Sequence, residues 1–454
     1  MLIVNPATGE TLADVPATER QAIASACGRA RAAQVTWAAR GLADRTAILR
    51  RFRALVVERG EALAHTLTLE VGKPIAQARR ELVGVLPRID FFLEQAPAAL
   101  ADEIVAADDA MEERIAHEPL GVVANVSAWN YPWFVGANVF VPALLTGNAV
   151  LYKPSEFATL TGIAIAELLH EAGVPDDVFQ AVIGGATAGA ALLEEPVDAV
   201  CFTGSLATGR KVAAAVGSRF GRLQLELGGK DPAYVCDDVS PAAAAAVAEG
   251  AFYNAGQSCC AVERVYVHER VWAPFVDAFV ATVRGYVVGD PLDERTDVGP
   301  LTRRELALAT LEEQVADATA RGARILTGGA RLDRAGWFFA PTVLVDVDDS
   351  MRVMRDETFG PLIGIAAVSS DEEAVARMND TAYGLTAAVY TPDRARAERV
   401  LARLDVGSAY WNCCDRVSPR LPWTGRRGSG LGVTLSRAGI EAFLRPKAWH
   451  LRPA

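Results

Sequence analysis

Metal-ligand spacing is missing from this sequence. No Cys-x-x-Cys occurs, and the five histidines (His65, His117, His170, His268 and His450) are scattered. A structural zinc site needs clustered thiolates or imidazoles, so no metal is expected. The seven cysteines are an odd number in a long chain, which argues against a secreted disulfide framework. Positive charge is in deficit: 45 Lys and Arg stand against 56 Asp and Glu, a net charge of −11. Such a surface repels nucleic acid and anionic membrane, and no basic cluster with interleaved aromatics opposes that reading. No run of roughly 18 apolar residues is free of interruption, so no membrane span is expected. The apolar stretch from Val122 is broken by Asn125, Ser127, Trp129-Asn130 and Pro132. The start, Met1-Leu-Ile-Val-Asn-Pro, lacks the basic and apolar regions of a signal peptide, and a cytoplasmic location is expected. Internal repeats and low-complexity linkers are absent too.

What is there is a globular composition, 51% apolar and 22% charged, over 454 residues. That length exceeds one hydrophobic core and implies two or three domains. Residues 17–35 and 43–100 read as helices, with Ile48, Phe52, Leu55 and Val56 on one face. Arg114-Ile-Ala-His-Glu-Pro reads as an edge strand ended by proline. From Gly121 strands and helices alternate. Gly121-Val-Val-Ala-Asn-Val, Ala149-Val-Leu-Tyr-Lys, the segment near Phe179–Ile183 and Asp198-Ala-Val-Cys-Phe are strands. Thr159 to Ala172 and about Ala207 to Val216 are helices. A second unit of the same type starts near Gly228, with Ala233-Tyr-Val-Cys and Arg264-Val-Tyr-Val-His as strands. Helices follow at 242–252, 270–286, 303–321 and 371–379. Strand, helix, strand at this spacing predicts an α/β fold with parallel sheets covered on both faces.

Four segments carry candidate chemistry. Asn254-Ala-Gly-Gln-Ser-Cys-Cys offers a cysteine in a polar turn; a thiol there is a nucleophile if exposed and a core filler if buried. Glu226-Leu-Gly-Gly-Lys, after the strand-like Arg222-Leu-Gln-Leu, offers either a general base in a cleft or a surface carboxylate. Ser127-Ala-Trp-Asn-Tyr-Pro-Trp is a turn that either aims an amide into a pocket or packs its aromatics. Phe202-Thr-Gly-Ser-Leu-Ala-Thr-Gly can hold a dinucleotide pyrophosphate at a helix N-terminus, but its Gly-x-x-x-x-Gly spacing is not the usual fingerprint. Lys153-Pro-Ser-Glu156 adds a cation and a carboxylate suited to a ribose.

In this order these segments resemble the aldehyde dehydrogenase superfamily, as does Glu357-Thr-Phe-Gly-Pro. The likeness runs from Asn5-Pro-Ala-Thr-Gly-Glu to Lys447-Ala-Trp. It implies that Cys259 is the catalytic thiol, Asn130 the oxyanion-stabilising amide and Glu226 the base that activates the deacylating water. It assigns Ser127, Trp129, Lys153, Glu156, Gly185, Gly204, Ser205, Leu227, Glu357 and Phe359 to the cofactor, NAD, with NADP possible. Glu156 favours NAD because its carboxylate repels a 2′-phosphate. The aldehyde channel would be lined by Tyr131, Val135, Asn138, Ser258, Cys260 and Cys413, with Cys414, Asp415, Arg416 and Val417 on its outer rim. Asp415 suits a cationic aldehyde and Arg416 a semialdehyde carboxylate, unless the two simply pair. Ala128 stands where the family has proline, and Trp423 and Thr424 depart from it in a C-terminal loop.

The same resemblance implies a Rossmann-like cofactor domain (1–103 and 121–228), a catalytic domain (229–428) and a bridging element (104–120 and 444–454). That element, with its His117-Glu-Pro edge strand, would join subunits into a homodimer or homotetramer. The small-molecule partner is an aldehyde, oxidised to its acid. Rival readings are a CoA-acylating dehydrogenase, opposed by Glu226, and a non-enzymatic protein, opposed by the intact Cys259, Glu226 and Asn130. A cysteine hydrolase lacks an identifiable activating histidine.

Overall fold

Alternation along buried strands builds the sheets. In Val122–Val126 the side chains of Val122 and Ala124 enter one apolar cluster and Val123 the opposite one. In Ala149–Lys153, Ala149 and Leu151 divide from Val150 and Tyr152 in the same way. Successive strand residues point to opposite faces, so a strand with apolar side chains on both must be covered twice. Helices Leu42–Glu58, Gly60–Val71, Ile75–Leu100, Pro132–Leu145 and Thr159–Ala172 supply one cover. Arg20–Ala39, Ala186–Glu194 and Leu206–Gly217 supply the other. The computed structural model describes residues 1–219 and 221–452. Pro453 and Ala454, the end of the expected 444–454 element, lie outside the described residues.

The first sheet has six strands. Arg222–Glu226, Ala199–Thr203, Val122–Val126, Ala149–Lys153 and Phe179–Ala181 lie side by side and parallel, in that order. Gly430–Leu431 closes one edge antiparallel to Arg222–Glu226. The chain order reverses beside Val122–Val126, whose neighbours are the second and fourth strands of the parallel set. In such sheets a crevice opens at that point, outside the carboxyl ends of the strands. The second sheet has seven strands, ordered Arg324–Thr327, Thr342–Val345, Leu362–Val368, Val262–His268, Asp231–Val235, Thr386–Tyr390 and Ser408–Trp411. Only its first pair is antiparallel.

The structure corrects two expectations. The helix expected over 43–100 is three helices, broken at Arg59-Gly60 and at Gly72-Lys73-Pro74. Gly72 takes φ +82°, ends Gly60–Val71 in the left-handed conformation, and is followed by the proline that begins the next helix. The strand through His117, expected at an edge, is central: Met111–Pro119 runs between Glu103–Asp108 and Leu444–Leu451 in a three-stranded antiparallel sheet. No helix among the described residues is long and apolar enough to cross a membrane.

Candidate active site

The cysteine segment lies between the two large sheets and its backbone is unusual. Asn254, Ala255 and Gly256 take φ of 53°, 55° and 70°, three successive left-handed residues. A side chain at Gly256 would meet the Gly360 carbonyl oxygen at 2.3 Å. At Gly229 a Cβ would lie 2.8 Å from the Cys259 carbonyl oxygen, and at Gly228 it would strike the Glu357 carboxylate. The glycines of the three motifs thus mark where the motifs touch. Lys230 and Glu263 lock the arrangement from beneath. Glu263 accepts Lys230 Nζ at 2.8 Å and the backbone N–H groups of Thr358 and Phe359 at 2.8 and 2.9 Å. In the sequence Lys230 stands only as the last residue of its motif and Glu263 in none, because a buried ion pair between distant segments has no local pattern.

Asn130 is held to this loop. Its Nδ2 donates to the Gln257 carbonyl at 3.1 Å, and its own carbonyl accepts Asn254 Nδ2 at 3.3 Å. Gln257 is itself fixed by the Thr302 N–H, at 3.0 Å. The two adjacent thiols differ. Cys259 is partly open, whereas Cys260 is buried, 2.9 Å from Asp415 Oδ1. The Cys259 side chain, burial and the Asp415 carboxylate together push the Cys260 thiol well above its ordinary value. Glu226, at the end of its strand, accepts Thr434 Oγ1 and, at 3.4 Å, Gln224 Nε2. Burial pushes its carboxyl up to about 7, against the pull of Thr434 and Arg88.

Cys259 and Glu226 open onto one cavity of 640 Å³. All six channel residues expected from the sequence (Tyr131, Val135, Asn138, Ser258, Cys260 and Cys413) line it. One wall was missed: Gln77, Glu81, Gly84 and Arg88 of helix Ile75–Leu100. Their spacing of i, i+4, i+7 and i+11 is one helical stripe. Polar residues beside the apolar stripe of Ala78, Leu82, Val85 and Ile89 were the signal that could have found it. Asp415 and Arg416 do not pair among the described residues. Asp415 turns inward, accepting Ser258 Oγ at 3.2 Å, while Arg416 is exposed. Cys414 packs against Gly250 and accepts the Tyr390 hydroxyl.

The expected cofactor residues gather at the carboxyl ends of the first sheet. The Ser127 N–H bonds the Lys153 carbonyl at 3.0 Å, and the Ser127 hydroxyl is buried with no partner among the described residues. Lys153 Nζ lies 3.8 Å from Glu156, whose side chain stays 40% exposed. Open space faces Gly185, which begins helix Ala186–Glu194. Gly204 precedes Ser205, whose hydroxyl caps Leu206–Gly217 through the Thr208 N–H at 3.3 Å. Leu227 fills the space at Gly209. Trp129 meets Phe359 edge-on, ring centres 5.5 Å apart, and Gly229 N–H reaches Glu357 at 3.3 Å.

A family model described as the aldehyde dehydrogenase family matches residues 1–449. Betaine aldehyde dehydrogenase of Rhizobium leguminosarum bv. trifolii is 36% identical over 457 residues, covering 98% of this chain and 92% of its own. The NADP(+) succinate-semialdehyde dehydrogenase of Deinococcus radiodurans is 36% identical over 447 residues, covering 98% and 93%. The crystal structure of an NAD-dependent aldehyde dehydrogenase from Sinorhizobium meliloti superposes with a TM-score of 0.95 at 34% identity, over 100% of this chain and 92% of that one. The chain belongs to the aldehyde dehydrogenase family, oxidoreductases that convert an aldehyde to its acid with NAD or NADP.

Proposed function

We propose that Cys259 is the nucleophile and Glu226 the base of a hydrolytic, NAD-preferring aldehyde oxidation. The observation that carries this reading is that both residues open onto one cavity while Asn130 is tied to the cysteine loop. The Cys259 thiolate adds to the aldehyde carbon, and the carbonyl oxygen becomes an oxyanion. The free N–H of Asn130 Nδ2 and the Cys259 backbone N–H stabilise that oxygen. A bound nicotinamide supplies the acceptor for the hydride that leaves the same carbon. The resulting thioester on Cys259 is attacked by water. Glu226, titrating near neutrality, takes the water's proton as the C–S bond breaks and the acid leaves.

The cofactor fits the crevice of the first sheet. Lys153 and Glu156 suit the adenosine ribose, the space at Gly185 suits the adenine, and the N-terminus of Leu206–Gly217 behind Gly204 and Ser205 suits the pyrophosphate. Glu357 and Phe359 suit the nicotinamide ribose and ring. A carboxylate at Glu156 disfavours a 2′-phosphate, so kcat/KM is higher with NAD than with NADP. Strand grouping supports the division into 1–103 with 121–228, 229–428 and 104–120 with 444–454, and Gly430–Leu431, outside these ranges, returns to the first sheet. We read the three-stranded sheet as the subunit contact of a homodimer or homotetramer. We place the enzyme in the cytoplasm, where seven free cysteines stay reduced.

The test is purified protein with NAD and a panel of aldehydes. NADH forms without CoA, Cys259→Ala abolishes it, and Cys260→Ala retains turnover. A requirement for CoA overturns the hydrolytic reading, and loss confined to Cys260→Ala reassigns the nucleophile.

A further inference from the structure

Two cations and two aromatic rings form a column beside the cavity, with Tyr131, Phe134 and Arg88 in its lining and Lys73 behind Tyr131. Lys73 Nζ lies 3.7 Å from the centre of the Tyr131 ring. Tyr131 stacks on Phe134, centres 5.8 Å apart and planes within 3°. The Arg88 guanidinium covers Phe134 at 4.0 Å. Both cations are nearly out of solvent, Lys73 at 1% exposure and Arg88 at 5%. A charge buried to this degree needs an opposite charge and hydrogen bonds, or it is strongly destabilising.

The two ends are compensated differently. Lys73 is paired with Glu81, whose other oxygen takes the Trp133 N–H at 3.0 Å. Among the described residues, Arg88 has one acceptor, Asn138 Oδ1 at 2.9 Å, and no carboxylate at ion-pair distance. Burial pushes Arg88 down to about 10, with Glu81 and Glu226 opposing that shift from a distance. Arginine does not give up its proton in proteins, so a full charge with spare N–H donors faces the cavity. The neighbouring groups do not satisfy it: Glu81 is committed to Lys73 and Glu226 to Thr434.

A guanidinium presents parallel N–H donors that match a carboxylate's two oxygens. Asn138 holds one arm of the fork, and the Phe134 ring lies against the guanidinium. Of the acids that line the cavity, Asp415 bonds Ser258 and Cys260 beside the nucleophile, and none of Glu81, Glu226, Glu249 and Asp415 stands at ion-pair distance from Arg88 among the described residues.

We propose that Arg88 is the specificity-determining residue of this channel and that the substrate is an aldehyde bearing a carboxylate, held by Arg88 while Cys259 attacks the other end. This rests on the proposed aldehyde oxidation and names its substrate class. The reading requires a substrate short enough for both groups to fit one cavity of 640 Å³.

The test uses the full-length enzyme with NAD and three four-carbon aldehydes: the ω-oxo acid, neutral butanal and the ω-amino aldehyde. Wild type favours the ω-oxo acid in kcat/KM by about 100-fold over butanal. Arg88→Met removes about 100-fold on the ω-oxo acid, mostly through KM, and only a few-fold on butanal. Arg88→Lys recovers part of the loss as a point charge. The wild-type comparison needs no variant to fold. If NADH forms but butanal or the ω-amino aldehyde is used as well as the ω-oxo acid, the inference fails and the oxidation stands. The inference also fails if Arg88→Met lowers activity equally on all three, which reports a structural role. If no aldehyde yields NADH without CoA, the proposed function itself has failed.

Discussion

At the scale of single residues, the arrangement turns on which of two adjacent thiols reacts and which carboxylate serves it. Cys259 and Cys260 are indistinguishable by type. The structure separates them by environment: both border the cavity, but Cys259 is partly open and Cys260 is buried against a carboxylate that disfavours its thiolate. Glu226 carries a prediction. Its carboxyl stands at about 7, and only the ionised form accepts a proton from water. Where thioester hydrolysis limits turnover, kcat therefore rises about tenfold per pH unit below 7 and levels above it. Glu226→Gln releases one NADH per site in a burst and then slows by about 100-fold or more. Stopped-flow absorbance reads both phases, and steady turnover in the variant removes Glu226 from the role. The roles of Cys259, Glu226 and Asn130 were legible only as an ordered set. Read singly, each was as good a core filler, surface acid or packed turn. Arg88 was legible only as part of a polar helix stripe, not in its role, because its meaning comes from Glu81 being occupied elsewhere.

At the scale of elements, the site exists because three motif segments, distant in sequence, meet at their glycines. Gly256 is the one that meets backbone in a left-handed conformation, with φ of 70° and the Gly360 carbonyl where a Cβ would stand. Gly256→Ala must move either the cysteine loop or the Glu357-Thr-Phe-Gly-Pro segment. Backbone strain and overpacking of this kind cost about 1–3 kcal/mol of stability. Activity falls further than stability, because the displaced segments carry both Cys259 and Glu357. Denaturant unfolding beside steady-state kinetics checks this, and a variant with wild-type values for both refutes the contact argument. Element types were mostly readable: Thr159–Ala172 and Asp371–Asn379 lie where periodicity and capping put them. The single long helix over 43–100 was not correct, although Gly72-Lys73-Pro74 was a readable stop. The break at Arg59-Gly60 carries no proline, and the apolar pattern runs through it. Strand Met111–Pro119 was misplaced at an edge because its second neighbour, Leu444–Leu451, lies some three hundred residues away. No local pattern reports a pairing of that separation.

At the scale of the whole molecule, the two large sheets are covered on both faces and the third is not. In Glu103–Asp108 nearly every residue is exposed, including Ile104 at 54% and Val105 at 57%. The register shifts at Val105, and both apolar side chains stand free of packing within the chain. Leu444–Leu451, on the other side, leaves Leu451 at 40% exposure and most of its length open. A small sheet with apolar side chains exposed and two unpaired edges is marginal alone and invites association. Burial of that surface by a second copy of the chain is the arrangement a closed symmetric oligomer provides. Sedimentation velocity of the wild type is therefore expected to show a dimer or tetramer across micromolar concentrations. Ile104→Asp combined with Val105→Asp shifts the chain toward monomer, because two charges cannot be buried unpaired in a subunit contact. The catalytic cavity lies on other elements, so the double variant loses assembly before it loses fold, and its circular dichroism stays native. A wild type that sediments as a monomer, or a double variant that keeps its oligomeric mass, removes this sheet from the interface.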